Sequence, residues 1–281
     1  MQYSFEFFPP RGSAGNLALD MAVQQLLPWQ PAFASMTYGA GGTSQLESLV
    51  GAQNLINRGL ATAAHLTCVD ASQSEVQATA RQFIAQGVDH FVALRGDSPS
   101  PDYVAPADGY AYASDLVAGL RQWFKGTLSV AAYPEVHPEA KSALTDLQSL
   151  KIKLDAGADQ IITQYCYDSN VLLDFAERLR RQGVTQPLLV GVMPIHDIAA
   201  VQRFSARCGA SVPQTIVERF EAFDQSQDMT KLGIEIAFEQ CQLLLENGFD
   251  QFHFYTLNRS PLTSGVLSAL GAAEPKLACS A

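Results

Sequence analysis

The chain has 281 residues, 47% of them hydrophobic and 16% charged, which permits a large buried core and excludes a disordered chain. A net charge of -10 argues against nucleic acid and anionic membrane as partners, since both select clustered Lys and Arg. Any phosphate-bearing ligand must then be held by a few placed cations and by backbone amides.

The first stretch, Tyr3-Ser-Phe-Glu-Phe-Phe-Pro-Pro-Arg11, reads as a strand over residues 3–8, closed by Pro9-Pro10, which lack backbone donors. Alternation sends Phe5 and Phe7 to one face and Ser4, Glu6 and Phe8 to the other. With no basic neighbour before Arg11, burial of Glu6 is expected to favour its protonated form, which suits a proton donor. The plain alternative is a strand-end Glu that reaches water. Seven further β-rich runs follow, at 32–38, 61–68, 89–94, 128–133, 160–165, 188–193 and 251–256. Helical patterns lie between them. Ser44-x-x-Glu47 and Ser72-x-x-Glu75 have the form of capping boxes, and Gly87, Gly183 and Gly248 fall where helix C-caps belong. Leu172, Phe175, Ala176 and Leu179 repeat at helical spacing, as do Ile234, Ala237, Phe238 and Cys241. Eight strand–helix alternations predict a single-domain (β/α)8 barrel over residues 1–273, with a frayed tail at 274–281. A doubly wound open sheet is the competing architecture. The Pro- and Gly-rich stretch 97–113 is expected to be a functional loop.

Barrel active sites lie at the carboxyl ends of the strands. The polar residues there are Glu6, Thr37-Tyr38, His65, Arg95-Gly96-Asp97, Tyr133 with Glu135 and His137, Gln164, and Tyr255 with Asn258-Arg259, against mostly apolar strand interiors. Little follows the seventh run. His65 alone would more simply be a satisfied core histidine, and Arg95 with Asp97 a surface pair. Gly96 would let backbone approach a flat ligand, and Tyr38-Gly-Ala-Gly-Gly42 could cradle a phosphate with its amides. Lys153 would by default be solvated, with phosphate binding as the sharper reading. Five cysteines without a C-x-x-C pair point to no metal site, and there is no serine-elbow, zinc-protease or Walker motif. No leader and no run of eighteen apolar residues is present, so a soluble cytoplasmic protein is expected.

Eight motifs then fall in order: Phe5-Glu-Phe-Phe-Pro-Pro-Arg11, Thr37-Tyr-Gly-Ala40, His65-Leu-Thr-Cys68, Leu94-Arg-Gly-Asp97, Tyr112-Ala-Ser-Asp115, Ala132-Tyr-Pro-Glu-Val-His-Pro-Glu-Ala-Lys141, Ile162-Thr-Gln164 and Phe252-His-Phe-Tyr-Thr-Leu-Asn-Arg259. Together they resemble the methylenetetrahydrofolate reductase family in its short bacterial form. The resemblance implies an FAD enzyme, an oxidoreductase acting on CH–NH groups. It would reduce 5,10-methylenetetrahydrofolate to 5-methyltetrahydrofolate by ping-pong hydride transfer, with NADH or NADPH as donor, and supply methyl groups for methionine synthesis. It also implies a homo-oligomer. By the same resemblance Glu6 is the general acid and Asp97 the second catalytic residue, touching folate and tuning the flavin. Thr37, Asp97, Gln164, Phe204 and Arg259 would bind substrates. Tyr38, Ala40, His65, Arg95, Gly96, Asp97, Ala113, Tyr133, His137, Ala140, Asp146 and Lys153 would hold FAD. Two departures from the family pattern stand out. Ala200 replaces a common folate-contacting Gln, and Ile152 replaces a common Arg near the flavin phosphates. They favour the competing reading, a flavin- or folate-binding barrel with little turnover. A Schiff-base lyase would want a Lys at a strand end, and none is written there.

Overall fold

A computed structural model describes residues 1–38, 45–97, 104–223 and 228–272. Eight parallel strands run β1 (Gln2–Phe7), β2 (Ala34–Met36), β3 (Thr62–Thr67), β4 (His90–Leu94), β5 (Thr127–Ala132), β6 (Gln160–Thr163), β7 (Leu188–Val192) and β8 (Gln251–Tyr255). They close in sequence order, with β1 pairing β8 through Ser4↔His253 and Glu6↔Tyr255. This closure excludes the open sheet.

The helices between them are α1 (Gly12–Leu26), α2 (Gln45–Asn57), α3 (Gln73–Ala85), α4 (Ala113–Arg121), α5 (Ala143–Asp155) and α6 (Ser169–Arg181). They are completed by α7 (Ile198–Cys208), α8 (Gln214–Ala222), α9 (Met229–Glu246) and α10 (Ser260–Ala269). The pair α7 and α8 is additional to the simple alternation. Strand ends fall within a few residues of those read from sequence, the second strand being the most overestimated. The capping box at Ser72 forms, with Glu75 N–H donating to Ser72 Oγ and Ser72 N–H to Glu75 Oε2. The box at Ser44 and the tail from residue 273 lie outside the described residues. Gly87, Gly183 and Gly248 all adopt the left-handed conformation expected of C-caps.

Alternation divides each strand cleanly. Phe5, Phe7, Phe91, Val130, Ile161, Val190, Phe252 and Phe254 join the main core between sheet and helices. The opposite faces fill the barrel axis, and here expectation needs correcting. A small apolar cluster of Phe33, Ala63, Val92, Ile162 and Leu189 is accompanied by the buried polar side chains of Ser4, Glu6, Ser35, His65, His90, Ser129 and His253. At the amino end of the barrel His90 Nε2 lies 2.6 Å from Ser129 Oγ, to which Gln160 Nε2 also donates at 2.8 Å. Phe33 separates this group from the upper axis. Its ring meets His90 edge-on at 4.6 Å and stacks on His253 at 5.7 Å.

Burial, then the charges of His253 and His65, push the His90 imidazole down to about 3. In the unfolded chain it titrates near 6.5, so acidification protonates the unfolded form first and stability falls. Between pH 6.5 and 4.5 the wild type should lose about 2 kcal/mol relative to His90→Gln, read from urea unfolding at both pH values.

Candidate active site

Glu6 ends β1 on its inward face and is 7% exposed, which excludes the solvated alternative. Its backbone is fixed from β8, since Thr256 Oγ1 donates to Glu6 O at 2.6 Å. Two residues on, Phe8 and Asn258 exchange reciprocal hydrogen bonds of 2.8 and 2.9 Å. Asn258 does this in a left-handed conformation, which Asn tolerates better than most residues. The loops after β1 and β8 are therefore zipped together at the rim.

Two imidazoles flank the carboxylate. Glu6 Oε2 lies 3.3 Å from His65 Nε2 and 3.7 Å from His253 Nε2. Burial by itself would raise the Glu6 carboxyl, but His65 and His253 outweigh it and hold the group down to about 2. The carboxyl therefore does not sit among apolar walls alone: folding sets two imidazoles, from β3 and β8, against it, and the sequence reading missed them. On its far side His253 Nδ1 sits 2.7 Å from Ser4 Oγ, giving the file Ser4–His253–Glu6. Neither Ser4 nor His253 was singled out as a site residue. The signal was available: Ser4 shares the face of Glu6, and His253 interrupts Phe252 and Phe254 with strand periodicity.

Six buried side-chain atoms among the described residues lack a hydrogen-bond partner, and four cluster around this point: Ser35 Oγ, Thr37 Oγ1, His65 Nε2 and His253 Nε2. The two imidazole nitrogens face Glu6 without hydrogen-bond geometry, whereas Ser35 Oγ and Thr37 Oγ1 have bonding capacity left for another molecule. Thr37, just past β2, is positioned by its N–H to Phe7 O and by Ser48 Oγ on its carbonyl. Tyr38 is half-buried, and burial raises its hydroxyl. Ala40 and the rest of the glycine-rich turn lie outside the described residues.

Around the rim, Arg95 pairs bidentately with Glu139 at 2.6 and 2.7 Å, so the expected Arg95–Asp97 surface pair gives way to a partner that sequence did not indicate. Asp97 is exposed beside it. Gly96 has φ +93°, and a Cβ there would meet Val69 Cγ1 at 2.5 Å. Its need for glycine is thus met within the chain, by the neighbouring loop. Tyr133 and His137 meet edge-on at 4.5 Å, and His137 N–H donates to Asp146 Oδ2 at 2.9 Å. Ala140 N–H closes a turn on His137 O, and Ala113 opens α4.

Lys153 corrects its default reading. It is half-buried, its amine donates to Ala131 O at 2.5 Å, and loss of solvent around the amine lowers it to about 8. Gln164 continues the β5–β6 pairing through its N–H to Ala132 O at 2.7 Å. Phe204, on α7, is 45% exposed and stacks on Tyr165 at 6.1 Å and 19°. Arg259 caps α10 with its side chain exposed. Glu6 and His65 are thus in direct contact, and Arg95, Gly96 and Asp97 share one loop. Tyr133, His137, Ala140, Asp146 and Lys153 lie along the β5–α5 unit. Phe204 and Arg259 sit on separate helices.

A sequence model of the methylenetetrahydrofolate reductase family matches residues 1–271. The chain belongs to that family. It is 39% identical to 5,10-methylenetetrahydrofolate reductase of Escherichia coli (strain K12) over 274 residues, covering 95% of this chain and 90% of that one. The Oryza sativa protein named probable methylenetetrahydrofolate reductase (NADH) is 33% identical over 289 residues, with 97% of this chain but 48% of the rice protein covered. Among solved structures, a Clostridium thermocellum protein described as binding two copies of 5-methyl-5,6,7,8-tetrahydrofolic acid aligns with TM-score 0.67 at 13% identity. That match covers 95% of this chain and 93% of that one, and at such identity the likeness is one of fold.

Proposed function

We propose that the chain catalyses reduction of 5,10-methylenetetrahydrofolate to 5-methyltetrahydrofolate, with FAD as resident cofactor and NADH or NADPH as donor. The observation that carries this reading is the buried Glu6 carboxylate between His65 and His253, at the carboxyl end of a barrel that belongs to this reductase family. A methylene carbon bridging two nitrogens accepts hydride poorly until one nitrogen is protonated and leaves. A carboxyl placed here, with its own proton supply, answers that need.

The donor set suits an anionic, flat cofactor. Arg95 offers a planar fork, Tyr133 and His137 offer rings and donors, and Lys153 offers a half-buried amine, on a chain with few cations. FAD held by these residues would supply the hydride transfer between reduced nucleotide and folate. The protein's own part is proton placement and charge. To act as the acid, Glu6 would hold a proton when the folate is in place, and the two imidazoles beside it, His65 at 3.3 Å and His253 at 3.7 Å with its opposite ring nitrogen held by Ser4, would position the carboxyl. Asp97, as an anion at the rim, would favour the cationic form of the opened folate. Thr37 and Gln164 would orient the substrates, Phe204 would stack on whichever is bound, and Arg259 would meet the folate's acidic tail.

The binding-only alternative rests on Ala200 and Ile152. Ala200 lies in the first turn of α7 with its N–H bonded to Asp197 Oδ1, and Ile152 is 58% exposed on α5. Each change costs a donor at the periphery, but neither position belongs to the group formed by Glu6, His65 and His253. Purified protein loaded with FAD should bleach with NADH or NADPH and recolour with methylenetetrahydrofolate. A protein that takes up no flavin, or whose colour is indifferent to both substrates, would sink the reading.

A further inference from the structure

The loop after β5, residues 133–140, is wired to four neighbours. Arg178 of α6 donates to Pro134 O at 3.1 Å, Asp146 of α5 accepts from His137 N–H, and Glu139 holds Arg95. The fourth link runs to the far end of α7. Glu135 accepts from Ser211 N–H at 2.8 Å through one carboxylate oxygen and from Ser211 Oγ through the other. The two segments also touch directly. Gly209 closes α7 at φ +69°, and a Cβ there would lie 2.7 Å from Pro138 Cγ and 3.2 Å from Val136 O. Further back on the same helix, Ser205 Oγ is 2.9 Å from Tyr165 OH, and Phe204 stacks on that tyrosine. So one helix carries the exposed ring of Phe204 and is gripped at its end by the loop that bears His137 and Glu139.

We propose that Glu135 is a positioning residue: by clasping Ser211 it ties α7 to the 133–140 loop. Cofactor-holding groups and the stacking ring of Phe204 then keep one spacing. The inference rests on the reductase reading for the roles of Phe204 and the loop, but the clasp stands on the hydrogen bonds alone. A carboxylate that accepts two hydrogen bonds across 76 residues of sequence restrains a helix end more than either neutral contact would. Glu135 touches no reacting group. Its effect must travel through the helix.

Two measurements on the full chain decide the matter. Hydrogen exchange of flavin-free protein should show the amides of residues 198–208 exchanging on the order of tenfold faster in Glu135→Ala, the size expected for losing a charge-assisted hydrogen bond. Ser211→Ala, which loses the Oγ bond but keeps the backbone N–H bond, should speed the same amides by a smaller factor, and this graded response serves if the first variant folds poorly. In FAD-loaded protein, Glu135→Ala should raise KM for the reduced nucleotide roughly fivefold or more with kcat little changed. The effect should vanish in a Phe204→Ala background, because the two residues act in series. Unchanged exchange in α7, or KM effects that multiply in the double variant, would overturn the proposal. A chain that binds no flavin would sink the reductase reading instead, and the exchange measurement would still decide the clasp.

Discussion

Glu6→Gln is expected to slow hydride transfer to methylenetetrahydrofolate by about 10²- to 10⁴-fold, the range usually lost with a general acid. Reduction of the flavin by nicotinamide nucleotide should continue near the wild-type rate. The amide keeps the shape of the side chain and can still occupy the space between His65 and His253, so packing is largely preserved. What it cannot do is carry a proton to a ring nitrogen. The two half-reactions separate this loss from general damage, since only one of them needs an acid. Anaerobic stopped-flow absorbance of each half-reaction checks it, and equal slowing of both would remove Glu6 from its assigned role.

Gly191→Ala is expected to destabilise the barrel by about 3 kcal/mol, the upper part of the range for forcing extra volume into a packed interior. Gly191 lies on the inward face of β7, paired with His253 of β8. A Cβ there would lie 2.2 Å from Thr163 O and 2.7 Å from Tyr255 Cε2. The first obstacle is backbone of the adjacent strand and cannot rotate away. The second is a ring already committed, because Tyr255 OH donates to Thr163 O at 2.8 Å. The melting temperature should fall by roughly 6 to 10 °C for a chain of this size. Spectroscopically the variant should also perturb Tyr255, which stands edge-on to His253 at 5.4 Å. A melting temperature within a degree of wild type would show that β7 shifts freely, contrary to the packing described.

The barrel was legible because its signals are local. Alternating apolar runs, the Ser72 capping box and the C-cap glycines each act over a few residues, and β1 and β8 were located closely enough to place Glu6 and His253. The surroundings of Glu6 were not legible, because its neighbours lie 59 and 247 positions away and only closure of the barrel brings them within reach. Glu139 and Lys153 teach the same lesson. A helix face looks solvated in sequence, whereas folding turns the Lys153 amine onto the Ala131 carbonyl. Likewise the fork of Arg95 ignores the nearby Asp97 and takes a carboxylate from the next loop. Sequence spacing reports who shares a strand. It does not report who meets across the axis.

The aromatic plug formed by Phe33 has a consequence for the order of events. Its ring packs against His90 on one side and His253 on the other, so an apolar layer lies between the two polar groups of the axis. An aromatic ring has no group that relays a proton, so nothing in that layer links the base of the cylinder to the carboxylate by hydrogen bonds among the described residues. On the reductase reading, the proton that Glu6 gives up would then be replaced from the rim side, the side from which ligands also arrive.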